Sequence, residues 1–363
     1  MPTKKIKILY TIPNFDTAGS GKVVYDLVNG LDKTKFDIEI ACTHDRGDFF
    51  KTVEKLGCPI HIFDTKTVYR PYYSLWSRLK PISRFYKKNG YHIIHSWQWS
   101  NDWTEALAAR LVGKKWIYTK KAMGFNKHWK IKSVLANFII TINDEMKAYF
   151  PRKKSQKLIP LGIDTAYYNP ELFEKQSNDF FDIITVANLV PVKGIEVLIK
   201  AVHHLNDQRI RLSILGDHAN AYGTKMQELC ESLNMSGQVR FLGKQMDVRP
   251  YVAKSNLYVI PTLDEGRKEG MPMALVEAMS MGIPILGSEV TGIKFVLKDF
   301  KELLFRAGDY KSLADKITSI QKMTAVERQV LGANLRSYCI DNFGMEKFIS
   351  AHEALYFNLV GSN

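Results

Sequence analysis

Two glutamates, Glu269 and Glu277, are the residues whose types and spacing point most directly to chemistry. Gly270 and Pro272 follow the first glutamate, and the pattern predicts a helix over residues 273–281, with Pro272 in its first position. The backbone amides at such a helix start, together with the helix dipole, form an anion site suited to a diphosphate. One carboxylate could then contact a sugar while the other accepts hydrogen bonds from ribose hydroxyls. The competing interpretation is a surface helix with an acidic residue before it.

The strands and helices that the sequence predicts must position these residues. Apolar, β-rich runs alternate with amphipathic segments in two series, which predicts an α/β protein with two parallel sheets, each covered on both faces. Ligands bind outside the carboxyl ends of the strands in such sheets, so we expect a cleft between two facing sets of loops. The predicted strands cover residues 5–12, 36–42, 60–63, 91–95, 116–119 and 138–142 in the first series, and 182–187, 211–215, 239–242, 257–261 and 283–287 in the second.

The length of 363 residues fits two domains. The pattern breaks near residues 158–164, and a polar stretch with Pro170 follows. We therefore expect a first doubly wound domain over residues 1–165, a linker over 166–179, a second doubly wound domain over 180–340, and a final helix over 341–363 that packs back on the first domain.

The composition is that of a soluble globular protein, with 45% hydrophobic and 24% charged residues. No run approaches the ~20 apolar residues of a membrane-spanning helix, and the first ten residues resemble a strand more than a signal peptide. The cysteines lack metal-ligand spacing, which favours reduced thiols; they are Cys42, Cys58, Cys230 and Cys339. We expect a cytoplasmic protein.

The excess of positive over negative charge lies entirely in the first half of the chain. The net charge is +14, and residues 1–170 contain 29 Lys and Arg against 14 Asp and Glu, whereas the remainder contains 22 against 23. Such a basic domain suggests an extended anionic partner: a phospholipid surface, a lipid-linked diphosphate or nucleic acid. Two basic and aromatic stretches, 69–88 and 120–132, could rest on an anionic membrane at the inner face of the cell membrane. A lysine-rich face that serves solubility is the alternative.

The segment 269–285 resembles the donor motif of glycosyltransferase family 4, whose members are retaining enzymes with the GT-B fold. Four other segments are similar to further family elements in the expected order; they are 186–194, 215–217, 241–243 and 159–164. The resemblance implies two Rossmann-like domains facing across a cleft. It also implies hexosyl transfer from a nucleotide-diphosphate sugar, expected to be a UDP-sugar, to a lipid-linked or saccharide acceptor in bacterial surface polysaccharide synthesis.

The resemblance assigns roles to individual residues. Lys193 would neutralise the leaving diphosphate, Glu269 would bind the sugar hydroxyls and stabilise the cationic sugar, and Glu277 would hold the ribose. A glycine-rich turn after the first strand would approach the donor phosphates through its backbone. The remaining donor-binding candidates are Gly19, Ser20, Gly21, Asn188, Gly216, Leu242, Gly243, Gly270, Met271, Pro272, Met273, Ala274 and Leu275.

Two positions depart from the family pattern. Asn188 stands where the family has an arginine, so an amide without charge replaces one diphosphate partner, and Arg267 or Lys268 could compensate. His95 matches a family histidine, but the second histidine of that element is Trp97 here. His95 is a catalytic candidate that could orient the acceptor, or a hydrogen-bonded structural residue.

Metal and P-loop chemistry are not expected. The chain contains no Asp-x-Asp sequence, and the family relies on a lysine and backbone amides, so we predict no metal and no cofactor beyond the nucleotide-sugar co-substrate. The run Gly19 to Lys22 is not a P-loop, because Asp16 and Val23 stand where that motif needs glycine and a hydroxyl residue.

Three other functions compete with glycosyl transfer. A sugar-nucleotide epimerase shares the two-domain architecture but needs acid and base carboxylates in the cleft. A nucleic-acid-binding protein would explain the basic domain, although no nucleic-acid motif is present. A sugar-nucleotide sensor would bind the nucleotide without turnover.

Overall fold

The chain forms two compact units in the computed structural model, which describes residues 5–16, 18–174, 179–266 and 270–361. The first unit comprises Met1–Gly162 together with Glu346–Asn363, and the second comprises Ile163–Met345. The chain passes between the units at two places, and these are linked within the second unit. There the Ile163 amide donates to the Phe343 carbonyl at 2.8 Å, and the Met345 amide donates to the Ile163 carbonyl at 3.0 Å.

Each unit is built on one parallel sheet. Among the described residues, the first sheet has the strand order β3-β2-β1-β4-β5-β6-β7 and the second β10-β9-β8-β11-β12-β13. The first sheet consists of β1 (Ile6–Thr11), β2 (Phe36–Cys42), β3 (Ile60–Ile62), β4 (Ile93–Ser96), β5 (Lys115–Lys120), β6 (Phe138–Thr141) and β7 (Gln156–Leu158). The second consists of β8 (Phe181–Val186), β9 (Ile210–Leu215), β10 (Val239–Gly243), β11 (Leu257–Ile260), β12 (Ile285–Ser288) and β13 (Leu304–Phe305).

Helices cover the sheets and account for their apolar strands. The central strands are buried on both faces, as at Ile8, Leu9 and Tyr10 of β1, because helices pack on either side. The helices of the described residues are α1 (Ala18–Gly30), α2 (Phe50–Glu54), α3 (Leu75–Lys88), α4 (Thr104–Leu111), α5 (Lys127–Leu135), α6 (Ile195–Leu205), α7 (Ala221–Ser232), α8 (Arg249–Ala253), α9 (Met273–Ser280), α10 (Thr291–Val296), α11 (Tyr310–Lys322), α12 (Ala325–Phe343) and α13 (Met345–Gly361).

The last helix, α13, is grouped with the first unit. Its Tyr356 hydroxyl lies 2.7 Å from the Tyr10 hydroxyl of β1, in the core of that unit. A Cβ at Gly162 would lie 2.5 Å from the Phe348 Cβ, so the absence of a side chain at 162 lets the helix approach the chain this closely. The first unit is therefore completed by residues from the end of the chain.

Candidate active site

The carboxyl ends of three neighbouring strands in the second unit are tied together through main-chain contacts. The Ala187 amide donates to Leu215 at 3.0 Å, and the Gly216 amide donates to the Gly243 carbonyl at 3.0 Å. Gly216 has φ of 149°, and a Cβ there would lie 1.8 Å from the Ala187 oxygen. Only glycine fits at 216, because this conformation and this approach exclude a side chain. Leu242, next to Gly243, is half-buried at the same edge.

Lys193 is held between the loops that follow β8 and β11. It ends a short 3-10 turn, Pro191–Lys193, and Gly194 then enters α6 with φ of 63°. A Cβ at Gly194 would lie 2.1 Å from the Pro261 carbonyl oxygen, and the Leu263 amide donates to the Val192 carbonyl at 2.8 Å. The main chain that carries the Lys193 side chain is therefore held in place by the 3-10 turn and by the loop after β11.

Helix α9 starts at Met273, at the predicted boundary, but Pro272 precedes the helix instead of occupying its first position. Pro272 is its N-cap, with φ of −78° and ψ of 107°, and the helix begins at Met273 and ends at Ser280. The Leu275 amide donates to the Pro272 carbonyl at 3.1 Å, and the Leu275 side chain is fully buried. The Leu275 amide is thus used within the helix and its side chain within the core, which leaves neither for the predicted contact with the donor. The amides of Met273 and Ala274 precede the first intrahelical bond and are the ones that an anion could accept from.

The comparisons with protein families agree with this geometry. The family model "Glycosyl transferases group 1" matches residues 170–338, and the model "Glycosyltransferase Family 4" matches residues 17–167. The chain belongs to glycosyltransferase family 4. The family predicted from the donor motif is confirmed.

Curated relatives of this glycosyltransferase match it over different shares of their length. N-acetyl-alpha-D-glucosaminyl L-malate synthase of Bacillus anthracis is 29% identical over 226 residues, which are 60% of this chain and 58% of the relative. The putative colanic acid biosynthesis glycosyltransferase WcaL of Escherichia coli strain K12 is 26% identical over 174 residues, 46% of this chain and 42% of the relative. The UDP-Gal:alpha-D-GlcNAc-diphosphoundecaprenol alpha-1,3-galactosyltransferase of Escherichia coli is 23% identical over 91% of both chains. The chain spans about half the length of the first two relatives and most of the third.

Solved structures confirm the predicted fold class. The glycosyltransferase from Rickettsia africae ESF-5 has a TM-score of 0.88 at 14% identity, covering 99% of this chain and 100% of that one. HepE from Anabaena, in complex with UDP, has a TM-score of 0.80 at 16% identity, covering 97% of this chain and 100% of that one. At these identities the likeness establishes the fold alone, which is GT-B.

Glu277 of this glycosyltransferase lines a small pocket of the second unit. Its carboxylate is half-buried and hydrogen-bonds to the Tyr168 hydroxyl. The pocket is bounded by Tyr168, Val186, Val248, Arg249, Val252, Tyr258, Ala274, Glu277, Ala278 and Met281. Its lining is mostly apolar, and its charged groups are the Glu277 carboxylate and the Arg249 guanidinium.

The other predicted donor-binding residues of the second unit differ in how exposed they are. Gly270, Met271 and Pro272 are buried before α9, and Asn188 is exposed in the loop after β8. Glu269 lies outside the described residues, as do Arg267 and Lys268, the two residues proposed to compensate for Asn188.

The sequence missed a second pocket between the ends of β11 and β12. It is lined by Thr262, Leu263, Pro272, Val290, Thr291, Gly292 and Ile293. The Thr262 hydroxyl is buried and makes no hydrogen bond to any residue that the structure describes. The available signal was positional, since both Thr262 and Thr291 follow the carboxyl end of a predicted strand.

The glycine-rich turn lies in the first unit, at the start of α1. Gly19 has φ of 0° and ψ of −117°, outside the helical region, so the helix is kinked in its first turn. A Cβ at Gly21 would lie 3.0 Å from the Phe15 ring, while Ser20 is half-buried. The turn therefore packs closely against the loop that follows β1.

His95, the catalytic candidate of the first unit, is buried and hydrogen-bonded to protein groups. Its side chain is 0% exposed in β4, with Nδ1 at 2.7 Å from the Tyr356 hydroxyl and Nε2 at 2.9 Å from the Thr119 hydroxyl. Burial, followed by the nearby His352 and Lys121, holds the pKa of His95 well below its usual range. Both ring nitrogens are engaged by protein groups, which favours the interpretation of His95 as a hydrogen-bonded structural residue.

The neutral histidines predict a loss of stability in acid. Burial lowers the pKa of His352 from 6.5 to about 4, even though a hydrogen bond to the Phe348 carbonyl raises it. Between these two values the unfolded chain takes up a proton that the folded chain does not, so the free energy of unfolding decreases as the pH falls. His352 alone should cost about 2 kcal/mol between pH 8 and pH 5. Urea unfolding at both pH values measures this difference.

A pair of variants separates this effect from general acid sensitivity. His352→Asn retains a group able to donate to the Phe348 carbonyl but cannot titrate, so the pH dependence should become weaker by about 2 kcal/mol. His203→Asn, which changes an exposed histidine on α6, should leave the pH dependence as it is. An unchanged pH dependence in His352→Asn would refute the assignment.

Proposed function

We propose that this glycosyltransferase transfers a hexosyl residue from a UDP-sugar, with retention of configuration, to a lipid-linked or saccharide acceptor during synthesis of a bacterial surface polysaccharide. The similarity over 91% of both chains to the Escherichia coli galactosyltransferase carries this proposal, because that relative's name states a UDP-Gal donor and a diphosphoundecaprenol-linked acceptor. The names of WcaL and of the amylovoran glycosyltransferase AmsK of Erwinia amylovora indicate polysaccharide synthesis. Solved structures of HepE contain UDP and UDP-glucose.

The donor diphosphate would bind at the start of α9. The amides of Met273 and Ala274 offer two donors there, and the helix dipole favours a negative charge at that end. Lys193 would add a positive charge on the side of the loop after β8. Negative charge grows on the diphosphate as the glycosidic bond breaks, so a fixed ammonium group stabilises the transition state more than the ground state.

Retention requires attack from the side on which the nucleotide leaves. The bond between the anomeric carbon and the phosphate oxygen breaks, the acceptor oxygen bonds to the same face, and the departing phosphate accepts the acceptor proton. Glu269 would bind the donor sugar hydroxyls and stabilise the cationic sugar, and Glu277 would accept hydrogen bonds from the ribose. The family resemblance also assigns a donor-phosphate role to Gly19 and Gly21. His95 takes no part, because protein groups occupy both of its nitrogens.

The mechanism is proposed to be independent of a divalent metal. The sequence contains no Asp-x-Asp pair to hold such an ion on the diphosphate. The lysine and the amides of α9 would then supply the charge stabilisation that a metal gives to other transferases.

A nucleotide screen with a lysine variant tests the donor site. UDP should raise the melting temperature of the wild-type protein more than GDP, ADP or CMP, because only a ligand of the native state stabilises it. Lys193→Ala should lower kcat by roughly 10²- to 10³-fold with a UDP-sugar, as does loss of one positioned charge-stabilising donor in other enzymes. Lys200→Ala, on the exposed face of α6, is the matched control and should retain full activity.

Three outcomes would overturn parts of this proposal. Abolition of transfer by EDTA would contradict metal independence, and an inverted product anomer would contradict retention. Consumption of the UDP-sugar without any acceptor would favour the epimerase alternative.

The two glutamates should respond differently to substitution. Glu277→Ala should raise the donor KM with little change in kcat, since ribose contacts are present in both the ground and the transition state. Glu269→Ala should lower kcat, since its partner is the sugar that becomes cationic. Steady-state kinetics measure both, with Glu228→Ala on the exposed side of α7 as the control. A reversed pattern would show that the roles are assigned the wrong way round.

We further propose that an aromatic loop of the first unit, residues 68–76, rests on an anionic membrane surface. The side chains of Tyr72, Tyr73 and Trp76 are 61%, 91% and 63% exposed. The guanidinium group of Arg78 fixes the loop by donating to the carbonyls of Val68 at 2.9 Å and Pro71 at 2.8 Å. Exposed aromatic side chains on a fixed loop are suited to the headgroup region of a bilayer.

The two basic stretches predicted from the sequence meet at this loop. The Tyr69 ring lies 5.3 Å from the His128 ring, which joins the aromatic loop to the start of α5. Arg70 lies against the Tyr72 ring at 5.9 Å, and Lys127 and Lys130 are exposed on α5. Each such cation near anionic headgroups contributes about 1 kcal/mol. None of the helices in the described part of the chain combines the length and the hydropathy that a membrane-spanning helix needs.

Vesicle binding tests the aromatic loop. The wild-type protein should sediment with vesicles that contain phosphatidylglycerol and should do so less at high salt. Changing Tyr72, Tyr73 and Trp76 together to serine should reduce the bound fraction several-fold because the apolar contribution is lost. Met246→Ser, which removes a 94% exposed apolar side chain in the second unit, should leave binding unchanged. Equal binding of the wild-type protein to DNA would favour the nucleic-acid alternative.

A further inference from the structure

Tyr168 occupies a fixed position beside α9, although it belongs to the segment that follows the first unit. Its carbonyl oxygen accepts hydrogen bonds from the Ser280 hydroxyl at 2.7 Å and from the Arg336 guanidinium at 2.9 Å. Its amide donates to the Asp164 carbonyl at 2.9 Å. Arg336, on α12, also donates to the Ser280 carbonyl. The Tyr168 backbone is thereby tied to the last turn of α9 and to α12.

The side chain of Tyr168 reaches Glu277, one helical turn before Ser280 on α9. The Tyr168 hydroxyl hydrogen-bonds to the Glu277 carboxylate, and both residues line the pocket that also includes Ala274 and Arg249. Burial, followed by the negative charge of Glu277 and the hydrogen bond to it, raises the pKa of Tyr168. The hydroxyl therefore stays protonated and donates to the carboxylate.

We propose that Tyr168 is a positioning residue that fixes the Glu277 carboxylate for the ribose of the donor nucleotide. This inference rests on the proposed role of Glu277 in binding the ribose. A glutamate on a helix surface has several rotamers, and ordering one of them on binding costs free energy. A donor hydroxyl that hydrogen-bonds to the carboxylate selects one rotamer in advance, so less free energy is lost when the ribose binds. The backbone contacts of Tyr168 hold this hydroxyl in place.

Tyr168→Phe isolates the hydroxyl, because the ring is kept. We expect the KM for the UDP-sugar and the Kd for UDP to rise roughly three- to tenfold, with kcat changed less than twofold. The melting temperature of the unliganded variant should stay close to that of the wild-type protein. Tyr167→Phe, at the neighbouring exposed tyrosine, is the matched control and should leave Kd and KM unchanged.

A double-mutant cycle shows whether Tyr168 acts through Glu277. In the Glu277→Ala background, Tyr168→Phe should cause no further loss of UDP affinity, whereas a residue that only supports the fold would weaken binding equally in both backgrounds. Calorimetric titration with UDP gives the four Kd values. If the nucleotide screen selects another nucleoside diphosphate, that compound is titrated instead.

The outcomes distinguish this inference from the function on which it rests. An unchanged Kd in Tyr168→Phe, together with a weakened Glu277→Ala, would refute the positioning role alone. An unchanged Kd in Glu277→Ala would refute the ribose role of Glu277 and the positioning role with it. Equal losses from Tyr168→Phe in both backgrounds would show that Tyr168 acts on the fold instead.

Discussion

At the carboxyl ends of the strands in the second unit, main-chain carbonyl oxygens lie where two glycines would otherwise carry side chains. The Ala187 oxygen lies where a Cβ at 216 would be, and the Pro261 oxygen lies where a Cβ at 194 would be. Any side chain at these two glycines would push the loops after β8, β9 and β11 apart, because a contact of about 2 Å between a carbon and a carbonyl oxygen is not possible. The position of Lys193, next to Gly194, depends directly on this packing. The rest of the candidate site lies beside the same loops, at the start of α9.

Local patterns encode most of this edge, and the sequence predicted it for that reason. Alternating apolar runs locate the buried strands, and the loops at their carboxyl ends follow from the parallel arrangement. Two edge strands were missed, β7 (Gln156–Leu158) and β13 (Leu304–Phe305), because two or three residues are too few to show a period. The sequence also placed Pro272 inside the helix, whereas its extended ψ of 107° makes it the cap. Because Pro272 is the cap and the helix begins at Met273, the amides of Met273 and Ala274 are the ones that a ligand could use.

Contacts between distant parts of the chain could not be predicted in this way. His95 lies one residue before the end of β4, yet its partner Tyr356 lies 261 positions further along on α13. The sequence predicts that α13 returns to the first unit but not which strand residues it covers. Tyr168 is a similar case, because its position in a polar connecting segment gives no sign of a bond to α9. Such residues are identified only when packing brings their neighbours together.

The charged residues are distributed unevenly between the two halves of the chain, and this bears on how each half interacts with a charged ligand. Residues 171–363 carry 22 basic and 23 acidic side chains, and Asn188 stands where the family has an arginine. Under the proposed function, a diphosphate in this unit is stabilised by groups in direct contact: the amides of Met273 and Ala274, the helix dipole and Lys193. Salt screens exposed charges beyond about 8 Å in the cell, so a bound diphosphate responds mainly to the charges close to it. The excess positive charge of residues 1–170 acts on anionic partners that come close to the surface of the first unit. Under the proposed function, the acceptor is therefore attracted by the basic first unit, whereas donor binding depends on short-range contacts with Lys193 and the start of α9.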